Sequence, residues 1–237
     1  LFAKGKYADA TALAREVLAM REKALGKDDP DVATSLNNLA GFLQTQGAYA
    51  EARPLYDRAI AICEKARGRD DVACAPSLIN LANLLLAEGA YAEARPLYER
   101  ALAIYEKVRG NDHPDVAGAL DKLAALRKAQ GAYAEARILC ERGVAILEKA
   151  FGKDDPRAVT TLNNLGQILQ AQGAYGEART LFERSLAIRE HALGREHPVV
   201  APALNNLALL LMAEGAYGDA RPLLERGLAI CEKAFGK

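Results

Sequence analysis

The sequence lacks several features that would point to a specific activity. It has no Trp, and its aromatic residues make up only 6% of 237 residues. No apolar run approaches the roughly 20 residues that a transmembrane helix needs, and we expect no secretion signal. Lys plus Arg and Asp plus Glu both number 31, so no excess charge indicates a nucleic acid or a membrane as partner. Because aromatic residues are few, the interior must be packed mainly by Ala, Leu and Ile.

What the sequence has instead is an internal repeat of 42 residues. Tyr49 lies in the pattern G-A-Y-x-(E/D)-A-R, and this tyrosine recurs at Tyr7, Tyr91, Tyr133, Tyr175 and Tyr217. A fixed period across the chain predicts a repeat array with no single central core. We divide the array into a partial repeat, 1–26, and the repeats 27–68, 69–110, 111–152, 153–194 and 195–237.

Each repeat is predicted to form two helices. The spacing of Leu36, Leu39, Ala40 and Leu43 is that of one helical face, and a second apolar stripe follows from Tyr49. Pairs such as Asp29-Pro30 and His113-Pro114 begin the first helix, and repeat two has Asp71-Val72 instead. Gly47 separates the two helices, and a glycine such as Gly68 ends the second. Three prolines, Pro54, Pro96 and Pro222, lie inside second helices, where we expect a mild bend rather than a break.

This pattern resembles the tetratricopeptide repeat. The positions that carry the resemblance are Leu36, Leu39, Ala40, Leu43, Gly47, Tyr49, Ala52, Tyr56 and Ala59. The longer period, with LNNLA in the first helix and YxEARPLYxRALAIxEKxxG in the second, is similar to the repeats of kinesin light chains and their bacterial look-alikes. The resemblance implies an all-α, right-handed superhelical solenoid of antiparallel helix pairs, with about five repeats after a preceding half repeat.

The four cysteines are predicted to be free thiols. Cys74 occupies the position of Val32, Val116 and Val200, and Cys140 replaces the tyrosines Tyr56 and Tyr98. Cys63 and Cys231 are four periods apart, which a solenoid keeps distant. Free thiols favour a reducing compartment, so the sequence predicts a cytoplasmic protein.

A row of asparagines is the main candidate binding feature. Asn38, Asn80, Asn164 and Asn206 share one repeat position, which Lys122 occupies in repeat three. The helical angle places this position opposite the core, on the face that lines the concave groove in tetratricopeptide arrays. An amide offers a donor and an acceptor, which suits the backbone of an extended peptide. Copying during duplication is the alternative. The predicted groove residues are Asn38, Asn80, Asn83, Lys122, Lys128, Asn164, Gln167 and Asn206.

Repeat three departs from the others by its positive charge. Lys122 replaces the asparagine, and Arg127 replaces a Leu beside Lys128. These cations predict a partner with acidic groups, unless Arg127 only extends from the packing stripe to water. Five more arginines recur at Arg53, Arg95, Arg137, Arg179 and Arg221, next to acidic residues, and we interpret them as ion pairs rather than as a ligand site.

The sequence therefore predicts a protein–protein interaction scaffold that binds a peptide segment in a concave groove. The alternative is a regulatory, autoinhibitory or structural arm of a larger multidomain protein. No phosphate loop, nucleophile motif or metal-ligand spacing is found, so we expect no enzyme, cofactor or metal. Both ends lie inside the array: Leu1 aligns with Leu43, and Lys237 aligns with Lys27, just before another repeat would begin. This predicts a fragment of a longer protein whose uncovered end face allows end-to-end self-association.

Overall fold

The protein forms two compact units, residues 1–111 and 112–237. The computed structural model describes the backbone of residues 2–236 and the side chains of residues 9–236. The side chain of Tyr7, the first of the recurring tyrosines, lies outside this range.

Helices account for nearly all of the described chain. Unit 1 contains α1 (Phe2–Leu25), α2 (Pro30–Thr45), α3 (Tyr49–Arg67), a short 3₁₀ helix (Val72–Cys74), α4 (Ala75–Ala87) and α5 (Tyr91–Arg109). Unit 2 contains α6 (Pro114–Ala129), α7 (Tyr133–Phe151), a short 3₁₀ helix (Pro156–Ala158), α8 (Val159–Ala171), α9 (Tyr175–Leu193), α10 (Val200–Ala213) and α11 (Tyr217–Phe235). Neighbouring helices in the sequence pack on each other within each unit, as α2 on α3 and α6 on α7. The predicted all-α fold of paired helices is confirmed.

The helix starts follow the capping chemistry that the sequence predicts. Asp29 Oδ1 accepts a hydrogen bond of 2.8 Å from the backbone N–H of Asp31, and His113 Nδ1 accepts one of 3.1 Å from Asp115. At the end of α3, Gly68 has φ 96° and ψ 155°, a conformation that is essentially restricted to glycine. Pro54 lies inside an uninterrupted α3, so the expectation that it does not break the helix is confirmed.

The core is a row of small and branched side chains on the facing sides of the helices. Leu36, Leu78, Leu120, Leu162 and Leu204 occupy one repeat position, and each is completely buried. Ala52 and its equivalents Ala94, Ala136 and Ala178 are also completely buried, so they let the paired helices approach closely.

Charged side chains fix the register between successive second helices. Arg58 contacts Glu22 at 2.5 Å and donates to the carbonyl oxygen of Lys27 at 2.9 Å. The same arrangement recurs at Arg100 with Glu64 and Arg69, at Arg184 with Glu148 and Lys153, and at Arg226 with Glu190 and Arg195. Sequence reasoning missed this contact, whose signal is an Arg that follows a Glu by 36 residues.

The second arginine row consists of ion pairs, as expected. Arg53 contacts Glu93 of the next repeat at 2.6 Å, and Arg137 contacts both Glu141 and Glu177. Arg95, Arg179 and Arg221 each contact the Glu four residues later. These side chains already have carboxylate partners, which supports the interpretation of the row as structural.

The prediction of four free thiols is wrong. Cys63, near the end of α3, forms a disulfide with Cys74 in the following 3₁₀ helix, and their Cα atoms are 5.7 Å apart. Cys140 and Cys231 remain free. Comparing each cysteine with its repeat equivalents could not reveal a pair that occupies two different repeat positions. The cytoplasmic location loses the support of the thiol argument.

Candidate peptide-binding surface

The predicted groove residues all lie on first helices, but they differ in exposure. Asn38 on α2 and Lys122 on α6 are exposed. The others are half-buried: Asn80, Asn83, Lys128, Asn164, Gln167 and Asn206. The exposed side chains offer a partner the larger accessible surface.

In unit 1 two of the asparagines already have partners within the protein. Asn80 Nδ2 donates a 3.1 Å hydrogen bond to Asn37 Oδ1, which connects the first helices of two successive repeats. Asn83 Oδ1 accepts a 2.8 Å hydrogen bond from the hydroxyl of Tyr98. Asn80 therefore already uses one of its donor hydrogens within the array.

In unit 2 the corresponding residues form a polar cluster between α6 and α8. Lys128 Nζ donates to Gln167 Oε1 at 2.8 Å, and Thr161 Oγ1 donates to Asp121 Oδ2 at 2.6 Å. Burial raises the pKa of Asp121, and hydrogen bonds from Thr161 and Asn164 oppose this shift. Asp121 is the repeat equivalent of Asn37, so Asn164 and Asn80 approach equivalent partners.

This pairing gives the asparagine row a structural role, and part of that role can be recognised in the sequence. Asn37 and Asp121, each the residue before a row member, supply the acceptors for Asn80 and Asn164 of the next repeats. Asn163 Oδ1 has no hydrogen-bond partner among the described residues, so the pairing does not extend to Asn206. In repeat two this position is Ile79, which has no polar atom in its side chain, and the next row member is Lys122 rather than Asn. The joint change at these two positions is the signal that could have revealed the pairing.

Asn38 borders an apolar cavity between α1 and α2. The cavity has a volume of about 270 Å³, and its lining includes Leu13, Val17, Asn38 and Phe42. The Leu13 side chain is 61% exposed, so this apolar surface is open to solvent. An apolar cavity with a polar group at its edge is the usual form of a site that takes a hydrophobic side chain.

Arg127 does not form a positive site with Lys128. Its side chain is 17% exposed, and its Nε atom lies 3.1 Å from Glu135 Oε2 on α7. The guanidinium is therefore mostly buried and paired with a carboxylate. An acidic preference of the partner would have to depend on the exposed Lys122 and on Lys128.

The buried carboxylate leads to a prediction on stability. We expect Asp121→Asn to raise the free energy of unfolding by about 1 kcal/mol at pH 7, since Asn is the residue of three other repeats at this position. The raised pKa means that ionised Asp121 destabilises the folded state above its folded-state pKa, and that this cost disappears as the carboxyl is protonated at lower pH.

Urea unfolding from pH 7 down to pH 4 measures this effect. The advantage of Asp121→Asn should shrink as the pH falls, whereas the exposed control Asp57→Asn should show no such trend. A less stable Asp121→Asn variant at pH 7 would mean that the hydrogen bond from Thr161 outweighs the cost of the buried charge.

Neither a metal site nor a membrane-spanning helix is found in the part of the chain that the structure describes. No group of three or more His, Cys, Asp or Glu side chains is placed to hold a metal ion. None of the described helices has both the length and the apolar character to cross a membrane.

A model of the tetratricopeptide repeat matches the chain repeatedly, over residues 1–65, 31–107, 71–149, 115–191 and 157–233. The chain belongs to the tetratricopeptide repeat family. Tetratricopeptide repeats generally mediate protein–protein interactions, and proteins of this scaffold type are typically not enzymes. A comparison with curated proteins gave no significant match.

Solved structures show the type of repeat. A Podosopora anserina protein, described as a kinesin light chain with nearly identical TPR-like repeats, is 31% identical; the match covers 88% of this chain and 99% of that one, with a TM-score of 0.74. BtubC from P. vanneervenii has a TM-score of 0.76 over 98% of this chain and 91% of that one, at 22% identity. MamA has a TM-score of 0.55 at 16% identity, over 82% of this chain and 95% of that one. The predicted resemblance to kinesin light chain repeats is confirmed, and the last two similarities support the fold alone.

Proposed function

We propose that this tetratricopeptide array binds an extended segment of a partner protein along its first helices. The observation that carries the proposal is the position of Asn38 at the edge of the apolar cavity between α1 and α2. Its amide can donate to and accept from the backbone of a bound segment, while the cavity takes an apolar side chain of that segment.

The half-buried asparagines have a double role in this proposal. A primary amide has two donor hydrogens and an acceptor oxygen with two lone pairs, so the hydrogen bond from Asn80 to Asn37 uses only part of its capacity. The bond holds the Asn80 side chain in one orientation, so the side chain loses less conformational entropy when a segment binds. Asn164, which bonds to Asp121, and Gln167, which accepts from Lys128, have the corresponding role in unit 2, and Asn206 stays a predicted groove residue.

Asn38→Ala tests the proposal most cleanly, because Asn38 is exposed and the described residues give it no hydrogen bond. We expect the melting temperature to stay unchanged or rise slightly, since Ala is the better helix former. The affinity for a segment selected from a peptide library should fall by about 1 kcal/mol, the contribution of one hydrogen bond. Isothermal titration beside a thermal melt measures both quantities.

Thr180→Ala is the matched control, because Thr180 is exposed on a second helix and lies away from the predicted groove. It should leave the affinity unchanged. Equal affinities for Asn38→Ala and the unmodified protein would instead favour duplication, together with the pairing described above, as the reason for the asparagine row.

Three further properties stay predictions. An acidic partner would be bound through Lys122 and Lys128. End-to-end association would use the exposed apolar side chains of α11, among them Leu228 at 61% and Phe235 at 79% exposure. A cytoplasmic location requires that the Cys63–Cys74 disulfide either forms there or is dispensable.

A further inference from the structure

A second cavity, with mixed polar lining, lies at the junction of the first two full repeats. It has a volume of about 280 Å³ and is lined by α2, by the end of α3, by the 3₁₀ helix Val72–Cys74 and by the start of α4. The lining residues that matter for its chemistry are Asp31, Cys63, Arg67, Ala73 and Ser77. Asn37, which accepts the hydrogen bond from Asn80, also lines it, so this cavity adjoins the asparagine row.

The side chain at position 63, in the wall of this cavity, is short. Cys63 is held in the disulfide with Cys74. At the repeat-equivalent positions that pack within one unit, the side chains are longer: Arg21, Leu147 and Arg189. Two of these three are arginines, and each reaches the start of the following first helix. The junction at Cys63 therefore lacks a side chain that its equivalents supply.

The hydrogen bonds of Arg21 and Arg189 indicate which chemical group the cavity beside Cys63 can bind. Arg21 Nη1 donates to the carbonyl oxygen of Asp31 at 3.1 Å and to Ser35 Oγ at 2.9 Å. Arg189 Nη1 donates to the carbonyl oxygen of Val199 at 2.6 Å. Ala73 is the repeat equivalent of both Asp31 and Val199, and Ser77 is the equivalent of Ser35. The cavity thus has a carbonyl and a hydroxyl oxygen at the positions where a guanidinium is bound elsewhere in the chain.

The charges around the cavity act in opposite directions. The carboxylate of Asp31 lies in its wall and attracts a cation, whereas the Arg67 guanidinium in the same wall repels one. Both side chains are exposed, so each effect is modest. Hydrogen-bond geometry, rather than net charge, must then select the ligand, and a planar guanidinium with five N–H donors satisfies several oxygens at once.

We propose that this cavity binds an arginine side chain of the partner segment. The proposal rests on the proposed function, which supplies the partner segment that contains the arginine. The internal contacts of Arg21 and Arg189 show how the cavity would bind a guanidinium. A bound segment that crosses the asparagine row would place its arginine between α2 and α4, with the guanidinium at the carbonyl oxygen of Ala73 and the hydroxyl of Ser77.

The test uses N-acetylarginine amide as a probe, with N-acetyllysine amide as the comparison, in the full chain. Backbone amide NMR should show saturable shifts at Ala73 and Ser77 with the arginine probe and clearly weaker shifts with the lysine probe. Asp31→Asn should weaken the arginine probe about two- to fivefold, and Arg67→Ala should strengthen it by a similar factor, the range expected for exposed charge pairs.

Two double variants separate the cavity from the disulfide. Cys63→Arg with Cys74→Val restores the side chain of the equivalent junctions and should abolish binding of the probe by filling the space. Cys63→Ala with Cys74→Val removes the disulfide but leaves the cavity open, so this variant should still bind the probe. Binding by the Cys63→Arg variant, equal affinity for the lysine probe, or no saturable shift at Ala73 and Ser77 would overturn the proposal.

The outcome is independent of the test with Asn38. If the protein binds the arginine probe but no peptide of the library, the proposal of an arginine site stands and the proposed function is wrong. If the protein binds a peptide through Asn38 but does not bind the probe, the proposed function stands and the proposal of an arginine site is wrong.

Discussion

Gly166→Ala is expected to lower the free energy of unfolding by roughly 1–2 kcal/mol. A Cβ atom at this position of α8 would lie 2.7 Å from Cε1 and 2.9 Å from Cζ of Phe182, a ring that is only 1% exposed. Forcing a methyl group into a packed core typically costs about 1–3 kcal/mol, and the better helix propensity of Ala offsets up to about 1 kcal/mol of this. Urea unfolding measures the difference.

Comparison with the other repeats explains why Gly166, unlike its equivalents, has no room for a Cβ atom. Ala40 and Ala82 occupy it beside Tyr56 and Tyr98, whose hydroxyls donate to Gln44 and Asn83. Phe182 replaces these tyrosines in repeat four and has no hydroxyl to anchor its ring, which packs directly on Gly166. The glycine and the phenylalanine thus fit each other.

Gly118→Ala is the matched control for the glycine substitution. Gly118 is exposed on α6, and a Cβ atom there would meet nothing within 4 Å. This variant should gain about 0.5–1 kcal/mol from helix propensity alone. Combining Gly166→Ala with Phe182→Leu should cost less than the sum of the two single changes, because the smaller side chain removes the overlap. Strict additivity would mean that the ring is not what resists the methyl group.

The helices were predictable because each carries several agreeing signals. The 42-residue period predicts the helix pairs, and the glycines mark where second helices end. Pro30 and Pro114 mark the starts of α2 and α6, whereas α8 and α10 begin a few residues after their prolines, at Val159 and Val200. Every signal is local, and duplication repeats it. The position of Pro54 inside α3 could be accepted for the same reason, since repeats three and four show the same pattern with Ile138 and Thr180 in place of the proline.

The contacts between repeats were less predictable, because they join residues in different repeat positions. The helical angle of Asn80 places it opposite the core, but it cannot show that Asn37 of the preceding helix lies within hydrogen-bonding distance. The charge of Arg127 was visible in the sequence, whereas its ion pair with Glu135 depends on how α6 and α7 pack. The cavity beside Cys63 required the same knowledge, since only the structure shows what Arg21 and Arg189 contact.

The Cys63–Cys74 disulfide should contribute about 2–3 kcal/mol to stability, the loop-entropy value for a separation of 11 residues. It connects the end of α3 to a helix start that lacks the proline of the other repeats, so it restrains a segment that has fewer restraints of its own. Unfolding in urea with and without dithiothreitol measures the contribution. Thiol titration of the unfolded protein should find two free thiols before reduction and four afterwards.

Cys63→Leu with Cys74→Ala is the control, because Leu147 and Ala158 hold the equivalent positions as a buried noncovalent pair. This variant should lie between the oxidised and the reduced protein: it loses the restraint on the unfolded chain but keeps apolar packing at the junction. Its stability should not respond to dithiothreitol. If the unmodified protein is equally stable with two and with four free thiols, the covalent bond adds nothing to packing of the two side chains. The 3₁₀ helix before α4 is then held by its hydrophobic contacts and by the Asp71 cap.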